Sequence, residues 1–189
     1  MDNIKEAVQI LQNGGVGVGP TDTLYGLLGS ALSKKAVERI YQLKKRDLSK
    51  PLIVLIADIK DLEVFGIEVG TRTTNVLNRF WPGQVSIILP CPKAEMSYLH
   101  RGTGTLAFRL PKPKWLMDFL QETGPLAAPS ANLEGEKPAE TIGQAKKIFG
   151  NKIDFYIDKG KLTGLPSALI KIAKQGTMVL RQGVVKINN

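Results

Sequence analysis

The spacing of apolar residues predicts helices and strands that alternate irregularly along the chain. Helical spacing occurs in residues 4–11, 36–43, 71–80, 115–122 and 142–149, and residues 58–65 are also expected to be helical. Short apolar runs typical of strands begin near residues 16, 52, 85, 106, 126, 155, 167 and 178, and residues 90–104 form a long irregular connection. This pattern predicts one α/β domain over residues 1–189 with a mixed sheet.

A basic segment connects one predicted helix to the strand that begins at Leu52. It reads Lys-Lys-Arg-Asp-Leu-Ser-Lys-Pro over residues 44–51, which we call the basic loop. Pro51 prevents a further helical turn and favours an extended conformation at Lys50. Cations at a helix C-terminus can simply complement the helix dipole. However, these cations continue into a loop at a strand end, where ligands often bind in α/β sheets. Lys44, Arg46 and Lys50 therefore predict a site for a polyanion such as a triphosphate.

Two other polar stretches follow predicted strands. Residues 20–27 crowd Thr21, Asp22, Thr23 and Tyr25 after a glycine-bearing strand, which fits either a small polar ligand or a plain turn. Residues 130–132 read Ser-Ala-Asn, and side chains two apart in an extended backbone face the same side. Ser130 and Asn132 are thus expected to address one ligand together, with a polar turn as the alternative.

Charge and composition narrow the class of partner. The 189 residues contain 26 Lys and Arg against 17 Asp and Glu, a formal charge of +9, which indicates an anionic partner such as a nucleotide or a nucleic acid. With one Cys and one His, an intramolecular disulfide and a Cys-rich zinc site are excluded. No apolar run reaches the length of a membrane span, and the N-terminus lacks a signal-peptide pattern, so we expect a cytoplasmic protein with no membrane partner.

Taken together and in order, these motifs resemble those of the YrdC-like family, the threonylcarbamoyl-adenylate synthases. The matching segments are residues 20–27, 44–52, 81–83, 109–111, 130–132, 167 with its neighbours, and 181–183. Each motif alone is weak, but the ordered set spans nearly the whole chain. The chain departs from the family pattern after Ser167, since Ala168 and Lys171 stand where Thr and Asp are usual, and at Leu55, where the long form often has His.

The resemblance implies a single YrdC-like domain of the short form, with a twisted mixed β-sheet, flanking helices and a basic concave surface. It also implies a nucleotidyltransferase reaction in which L-threonine, bicarbonate and ATP give threonylcarbamoyl-AMP and pyrophosphate. The product would serve tRNA threonylcarbamoyladenosine modification together with partner proteins.

Residue roles follow from the same resemblance. Lys44 and Arg46 would be catalytic. The ATP site would comprise Lys44, Arg46, Lys50, Thr105, Arg109, Ser130, Asn132, Ser167 and Arg181. The threonine site would comprise Thr21, Thr23 and Tyr25. Mg²⁺ would arrive on the triphosphate, because the sequence offers no carboxylate cluster to hold a metal.

A different class of function is an RNA-binding YrdC-like protein without synthase activity. The charge of +9 is compatible with RNA. Against it, aromatic residues make up only 6% of the chain, and those that can be placed lie on core faces rather than among the cations. The presence of both the basic loop and the Ser-Ala-Asn segment favours the enzyme.

Overall fold

The computed structural model describes residues 2–173 and 176–188. The helices are α1 (Asp2–Gln12), α2 (Lys34–Lys44), α3 (Thr71–Phe80), α4 (Ser97–His100), α5 (Lys114–Thr123) and α6 (Ile142–Phe149). The strands are β1 (Val16–Pro20), β2 (Tyr25–Ser30), β3 (Ile53–Leu55), β4 (Val85–Pro90), β5 (Thr105–Arg109), β6 (Leu126–Ala127), β7 (Phe155–Tyr156), β8 (Ala168–Ile172) and β9 (Thr177–Arg181). Short 3₁₀ helices cover Ile59–Phe65, Ala94–Met96 and Gly150–Lys152.

The described strands form one mixed sheet in the order β7-β1-β2-β6-β3-β5-β4-β8-β9. Three neighbouring pairs are parallel, namely β1 with β7, β3 with β5, and β4 with β8. The other neighbouring pairs are antiparallel. The predicted mixed α/β architecture with flanking helices is therefore confirmed.

Successive side chains of a strand point to opposite faces of the sheet, so the apolar core residues are divided between the two faces. Leu27 and Val54 belong to a large cluster that includes residues of α2, α3 and α6. Their chain neighbours Leu28 and Leu55 belong to a smaller cluster with residues of α1 and α5. On β5, Phe108 belongs to the large cluster, so Arg109 points to the other face. Arg109 therefore projects from the face of the sheet that carries α1 and α5.

The sequence prediction was wrong in two local places. Residues 25–30 form β2, which the sequence analysis interpreted only as part of a polar stretch. The connection at residues 90–104 contains the helical segments Ala94–Met96 and α4. The helix expected at residues 58–65 is confirmed as a 3₁₀ helix, Ile59–Phe65, and a capping box at Asp58 and Asp61 begins it. Within the described residues, the helices are too short and too polar for any to span a membrane.

Candidate functional site

The basic loop begins where α2 ends. Ser33 caps the N-terminus of the helix by accepting a hydrogen bond from the amide of Ala36. At the other end, Lys45 adopts the left-handed conformation with φ 49°, and the amide of Arg46 donates to Tyr41 O at 3.0 Å. A non-glycine residue in this region stores backbone strain, and such strain concentrates at ligand sites. This turn directs the rest of the basic loop away from the helix axis.

Within the loop, Asp47 and Arg46 fix the backbone. The Asp47 carboxylate accepts hydrogen bonds from the amide and hydroxyl of Ser49 at 2.9 and 2.8 Å, which closes a tight turn. Arg46 donates from Nε to Lys50 O at 3.2 Å and from Nη2 to Pro51 O at 3.0 Å. The guanidinium of Arg46 thus holds the loop closed, and its Nη1 faces the Glu134 carboxylate at 3.9 Å.

Lys44 is buried rather than projecting into the loop. Its ammonium donates to Ser130 O at 2.7 Å, Asn132 O at 3.0 Å and Asn132 Oδ1 at 2.8 Å. Burial, helped by the charge of Arg46 and opposed by Glu134, lowers the pKa of Lys44 to about 8. Lys44 therefore holds the Ser-Ala-Asn segment in place. It also supplies a positive charge whose protonation changes near pH 8, not far from neutrality.

The predicted pairing of Ser130 and Asn132 occurs, but the two side chains bind each other. Ser130 Oγ donates to Asn132 Oδ1 at 2.6 Å. The Asn132 amide nitrogen donates to Leu133 O at 2.6 Å and Glu136 O at 2.9 Å. With Lys44, these contacts fix the chain that follows β6, so Ser130 presents its hydroxyl at the edge of the site while Asn132 orients it.

The predicted threonine-binding residues lie at the tip of the β1–β2 hairpin. Thr21 Oγ1 donates to Leu24 O at 2.7 Å and accepts from the amides of Thr23 and Leu24 at 3.2 Å each, so this hydroxyl stabilises the turn. Tyr25 Oη donates to Gly160 O at 2.8 Å, away from the tip. Thr23 remains half-buried beside the cavity.

Asp22 and Arg109 form an ion pair beneath the hairpin tip. Arg109 Nη2 lies 2.9 Å from Asp22 Oδ1, and the two side chains are only 4% and 1% exposed. Burial raises the pKa of Asp22, and the charge of Arg109 acts against that rise. The pair joins the end of β5 to the hairpin across the face of the sheet.

Ser167 and Arg181 lie where β8 begins and β9 ends, at another side of the site. Ser167 Oγ lies 2.9 Å from Ser86 Oγ, and Ser167 O accepts hydrogen bonds from Arg181 Nε at 3.3 Å and Nη2 at 3.0 Å. Burial, followed by the charges of Arg109 and Arg46, lowers the pKa of Arg181. These guanidinium groups repel one another, which favours binding of an anion between them.

Two adjoining cavities collect most of the predicted site residues. The inner cavity, about 60 Å³, is lined by Thr21, Thr23, Tyr25, Arg109, Ser130, Ser167 and Arg181, among others. The outer cleft, about 260 Å³, is lined by Lys44, Arg46, Ser130, Asn132, Glu134 and Arg181, among others. Ser130 and Arg181 line both, so the structure joins a small hydroxyl-lined cavity to a cationic cleft.

Two predicted residues lie outside both cavities. Lys50 is more than half exposed, and its ammonium donates to Glu134 Oε1 at 2.9 Å at the rim of the cleft. Thr105 borders a separate cavity together with Lys171. Because Ile53 pairs with Ala107, Thr105 is at the end of β5 nearest the basic loop and on the same face as Arg109. A nucleotide contact for Thr105 would require a ligand that extends along β5.

Sequence reasoning missed the partner of one carboxylate of this region and missed a second carboxylate altogether. Asp22 stands inside the hairpin motif, but nothing in the sequence identified its partner Arg109, 87 residues later. Glu134 contacts Lys50, Arg46 and the amide of Asp47, and its own surroundings in the sequence gave no signal. Within residues 2–173 and 176–188, no three His, Cys, Asp or Glu side chains come together as a metal site. Carriage of Mg²⁺ by the nucleotide stays a prediction.

Comparisons with known proteins cover nearly the whole chain. The family model Sua5_yciO_yrdC, described as telomere recombination, matches residues 9–183. A Bacillus subtilis protein named threonylcarbamoyl-AMP synthase is 34% identical over 183 residues, which cover 95% of this chain and 53% of that protein. A Pyrococcus abyssi protein of the same name is 32% identical over 182 residues, covering 95% of this chain and 54% of the relative. The chain thus spans about half the length of these curated relatives.

A solved structure shows that the similarity extends from the sequence to the fold. The crystal structure of P. abyssi Sua5 complexed with L-threonine superposes with a TM-score of 0.86 at 33% identity, covering 95% of this chain and 54% of that chain. The likeness therefore includes both the sequence and the arrangement of the sheet and helices.

Proposed function

The chain belongs to the Sua5/YciO/YrdC family, and from this membership and the geometry of the site we propose that it is a threonylcarbamoyl-AMP synthase. The proposed substrates are L-threonine, bicarbonate and ATP, and the products are threonylcarbamoyl-AMP and pyrophosphate. The observation that carries the proposal is the pair of adjoining cavities that share Ser130 and Arg181. One suits a small polar molecule and the other suits phosphates.

The cationic cleft supports a nucleotide assignment. Lys44, Arg46 and Arg181 line it, and Lys50 stands at its rim. Charge-assisted hydrogen bonds from such groups are the usual means of binding phosphate oxygens. The lowered pKa values of Lys44 and Arg181 have a common contribution from neighbouring cations, which a bound anion would relieve. We therefore assign the triphosphate to the outer cleft.

The inner cavity supports a threonine assignment. Thr23 lies at its wall, and Arg109 and Ser167 lie deeper, so a hydroxyl, a guanidinium and a further hydroxyl line a space of about 60 Å³. A relative with the same fold, P. abyssi Sua5, is known in complex with L-threonine, which supports threonine as the small polar substrate. Thr21 and Tyr25 act indirectly, since Thr21 stabilises the hairpin turn and Tyr25 anchors β2 to Gly160.

The reaction needs positioning and electrostatic stabilisation more than a strong base. The threonine amine and bicarbonate give a carbamate and water, and a carbamate oxygen is already anionic. That oxygen attacks the α-phosphorus of ATP, the bond to the β-phosphate oxygen breaks, and pyrophosphate leaves with both electrons of that bond. Arg46, Lys50 and Arg181 would stabilise the charge on the leaving group. The positive charge of the buried Lys44 would add to this electrostatic stabilisation. The single His of the chain has no part in this scheme.

We place this activity in the cytoplasm, upstream of tRNA threonylcarbamoyladenosine formation. The acyl-adenylate product is a mixed anhydride, so a partner enzyme that delivers the threonylcarbamoyl group to tRNA adenosine would consume it. The net charge of +9 would favour association with tRNA or with such partner proteins near it.

The test is pyrophosphate release from ATP by the purified protein, with threonine and bicarbonate omitted in turn. We expect release only when both are present, and no release when D-threonine replaces L-threonine. Release that needs neither substrate, or ATP binding without release, would contradict the proposal. A salt-titrated tRNA binding measurement would then examine the alternative of an RNA-binding protein without synthase activity.

A further inference from the structure

One carboxylate, that of Glu134, lies against three hydrogen-bond donors of the basic loop. Glu134 Oε1 accepts from Lys50 Nζ at 2.9 Å and lies 3.9 Å from Arg46 Nη1. Glu134 Oε2 accepts from the backbone amide of Asp47 at 2.6 Å. Two cations and a backbone N–H thus converge on a single anionic group at the rim of the outer cleft.

This donor set is the kind that binds a phosphate group. Phosphate oxygens take hydrogen bonds from Arg, Lys and backbone amides in the same way as carboxylate oxygens do. The contacts from Lys50 and Asp47 lower the pKa of Glu134, so the group is ionised at neutral pH. In the proposed reaction, the same Arg46 and Lys50 must contact the leaving pyrophosphate. Glu134 and the phosphates therefore compete for the same donors.

The Glu134 backbone is held independently of its side chain. Its amide donates to Lys44 O at 2.8 Å, and the amide of Glu136 donates to Leu133 O at 3.1 Å. Asn132 binds the carbonyls on both sides of Glu134. The Glu134 side chain is 25% exposed, so rotation about its own bonds can carry the carboxylate into solvent without moving this segment.

We propose that the Glu134 carboxylate stands in for a phosphate group on the basic loop of the ligand-free protein, and that a polyphosphate displaces it on binding. The inference deepens the proposed function, since it names Glu134 as the residue that sets the affinity of the phosphate site. A carboxylate that competes for the donors weakens the apparent binding of a polyphosphate, because only the fraction of molecules with free donors can bind it. After reaction, the return of the carboxylate assists the departure of pyrophosphate.

The test uses inorganic tripolyphosphate and the whole 189-residue chain, without divalent cations and without threonine, so that no chemistry is required. Calorimetric titration gives the dissociation constant for the wild type, Glu134→Gln and Glu134→Ala. The matched control is Glu136→Gln, which removes the same charge from an exposed side chain two residues away. We expect both Glu134 variants to bind roughly fivefold tighter, because a solvent-accessible ion pair competes only weakly with a polyphosphate. The control should stay within about twofold of the wild type.

The direction of the change separates this role from a structural one. A damaged loop or a lost ligand contact would weaken binding, so equal or weaker binding by both Glu134 variants overturns the proposal. Binding is measured without turnover. Tighter binding by the Glu134 variants of a protein that releases no pyrophosphate would therefore support the role of Glu134 and contradict the proposed function. Unchanged or weaker binding by the variants of a protein that does release pyrophosphate would support the proposed function and contradict the role of Glu134.

Discussion

The guanidinium carbon of Arg101 lies 3.9 Å from the centroid of the Tyr41 ring. Arg101 also pairs with Glu38 at 3.0 Å, and Tyr41 Oη donates to the backbone carbonyl of Lys50 at 2.8 Å. The stack therefore connects the segment after α4 to the basic loop through α2. Neither residue lines the two cavities, so both are positioning residues.

Tyr41→Phe removes the hydrogen bond to Lys50 O and keeps the ring beneath Arg101. Since one such bond contributes about 1 kcal/mol, we expect the KM for ATP to rise about fivefold with little change in kcat. Steady-state pyrophosphate release at varied ATP measures both constants. Tyr98→Phe is the control, because its hydroxyl donates to Ala31 O at 3.0 Å away from the loop. An equal effect of the two substitutions would show that Tyr41 only stabilises the fold.

Lys44 gives the site a pH dependence near neutrality. Its ammonium is charged below a pKa of about 8 and loses its proton above it. A bound triphosphate favours the charged form, so affinity for ATP should fall as the pH rises above about 8. The phosphates are already ionised there, since their last pKa is near 6. The measurement is the dissociation constant of ATP between pH 7 and about 9.5, a range set on both sides of the lysine pKa.

The matching substitution is Lys44→Met. We expect turnover to fall by a factor of about 100 or more, the cost of losing one stabilising charge, and the fall in ATP affinity above pH 8 to disappear. Lys45→Met changes the same charge on the exposed neighbour and should retain most activity. If the pH profile of Lys44→Met matched that of the wild type, Lys44 would not be the titrating group.

Local signals made the basic loop predictable from the sequence. Ser33 at the N-cap, apolar spacing along α2 and Pro51 at the strand entry all act within a few residues, so their structural consequences can be inferred from neighbouring residues alone. The same holds for α6, which Thr141 caps by accepting from the amide of Gln144. Family motifs then indicated which polar segments meet at the site.

Contacts between distant residues were not predictable in this way. β2 is a strand because it pairs with β1 along its length, although its sequence Tyr-Gly-Leu-Leu-Gly-Ser lacks a clear alternation. The interactions of Asp22 with Arg109, and of Glu134 with the basic loop, depend on the tertiary arrangement of the chain. The sequence identified which cations gather at the site, but it did not identify the carboxylates that neutralise them.

The Asp22–Arg109 ion pair should be important for stability because it is buried. Asp22→Ala leaves the guanidinium of Arg109 without its countercharge, so we expect the free energy of unfolding to fall by roughly 3–5 kcal/mol. Asp118→Ala breaks the exposed pair with Lys114 and should cost less than about 1 kcal/mol. Urea denaturation of the two variants provides the comparison. Similar small losses would indicate that solvent compensates Arg109 in the absence of Asp22.

Gly183 allows two backbone segments of the site to approach closely. A Cβ atom there would lie 2.2 Å from the amide nitrogen of Ala168 and 2.4 Å from Pro166 O, contacts that no side-chain rotation can relieve. Gly183→Ala must therefore displace the segment that carries Ser167, whose carbonyl accepts from Arg181. We expect a loss of about 1–3 kcal/mol in unfolding free energy, typical of overpacking, together with weaker ATP binding.

Gly143 provides the opposite case within the same chain. It is exposed in α6, and a Cβ there would meet only Thr141 Oγ1 at 3.8 Å. Gly143→Ala should stabilise the protein by about 0.5–1 kcal/mol, since alanine restricts the unfolded chain more than glycine does, and it should leave ATP binding unchanged. Thermal and urea denaturation measure the stability of Gly183→Ala and Gly143→Ala, and ATP titrations measure their affinity for the nucleotide. A stabilised Gly183→Ala variant with normal ATP affinity would mean that the segment at residues 166–168 can move without affecting the nucleotide site.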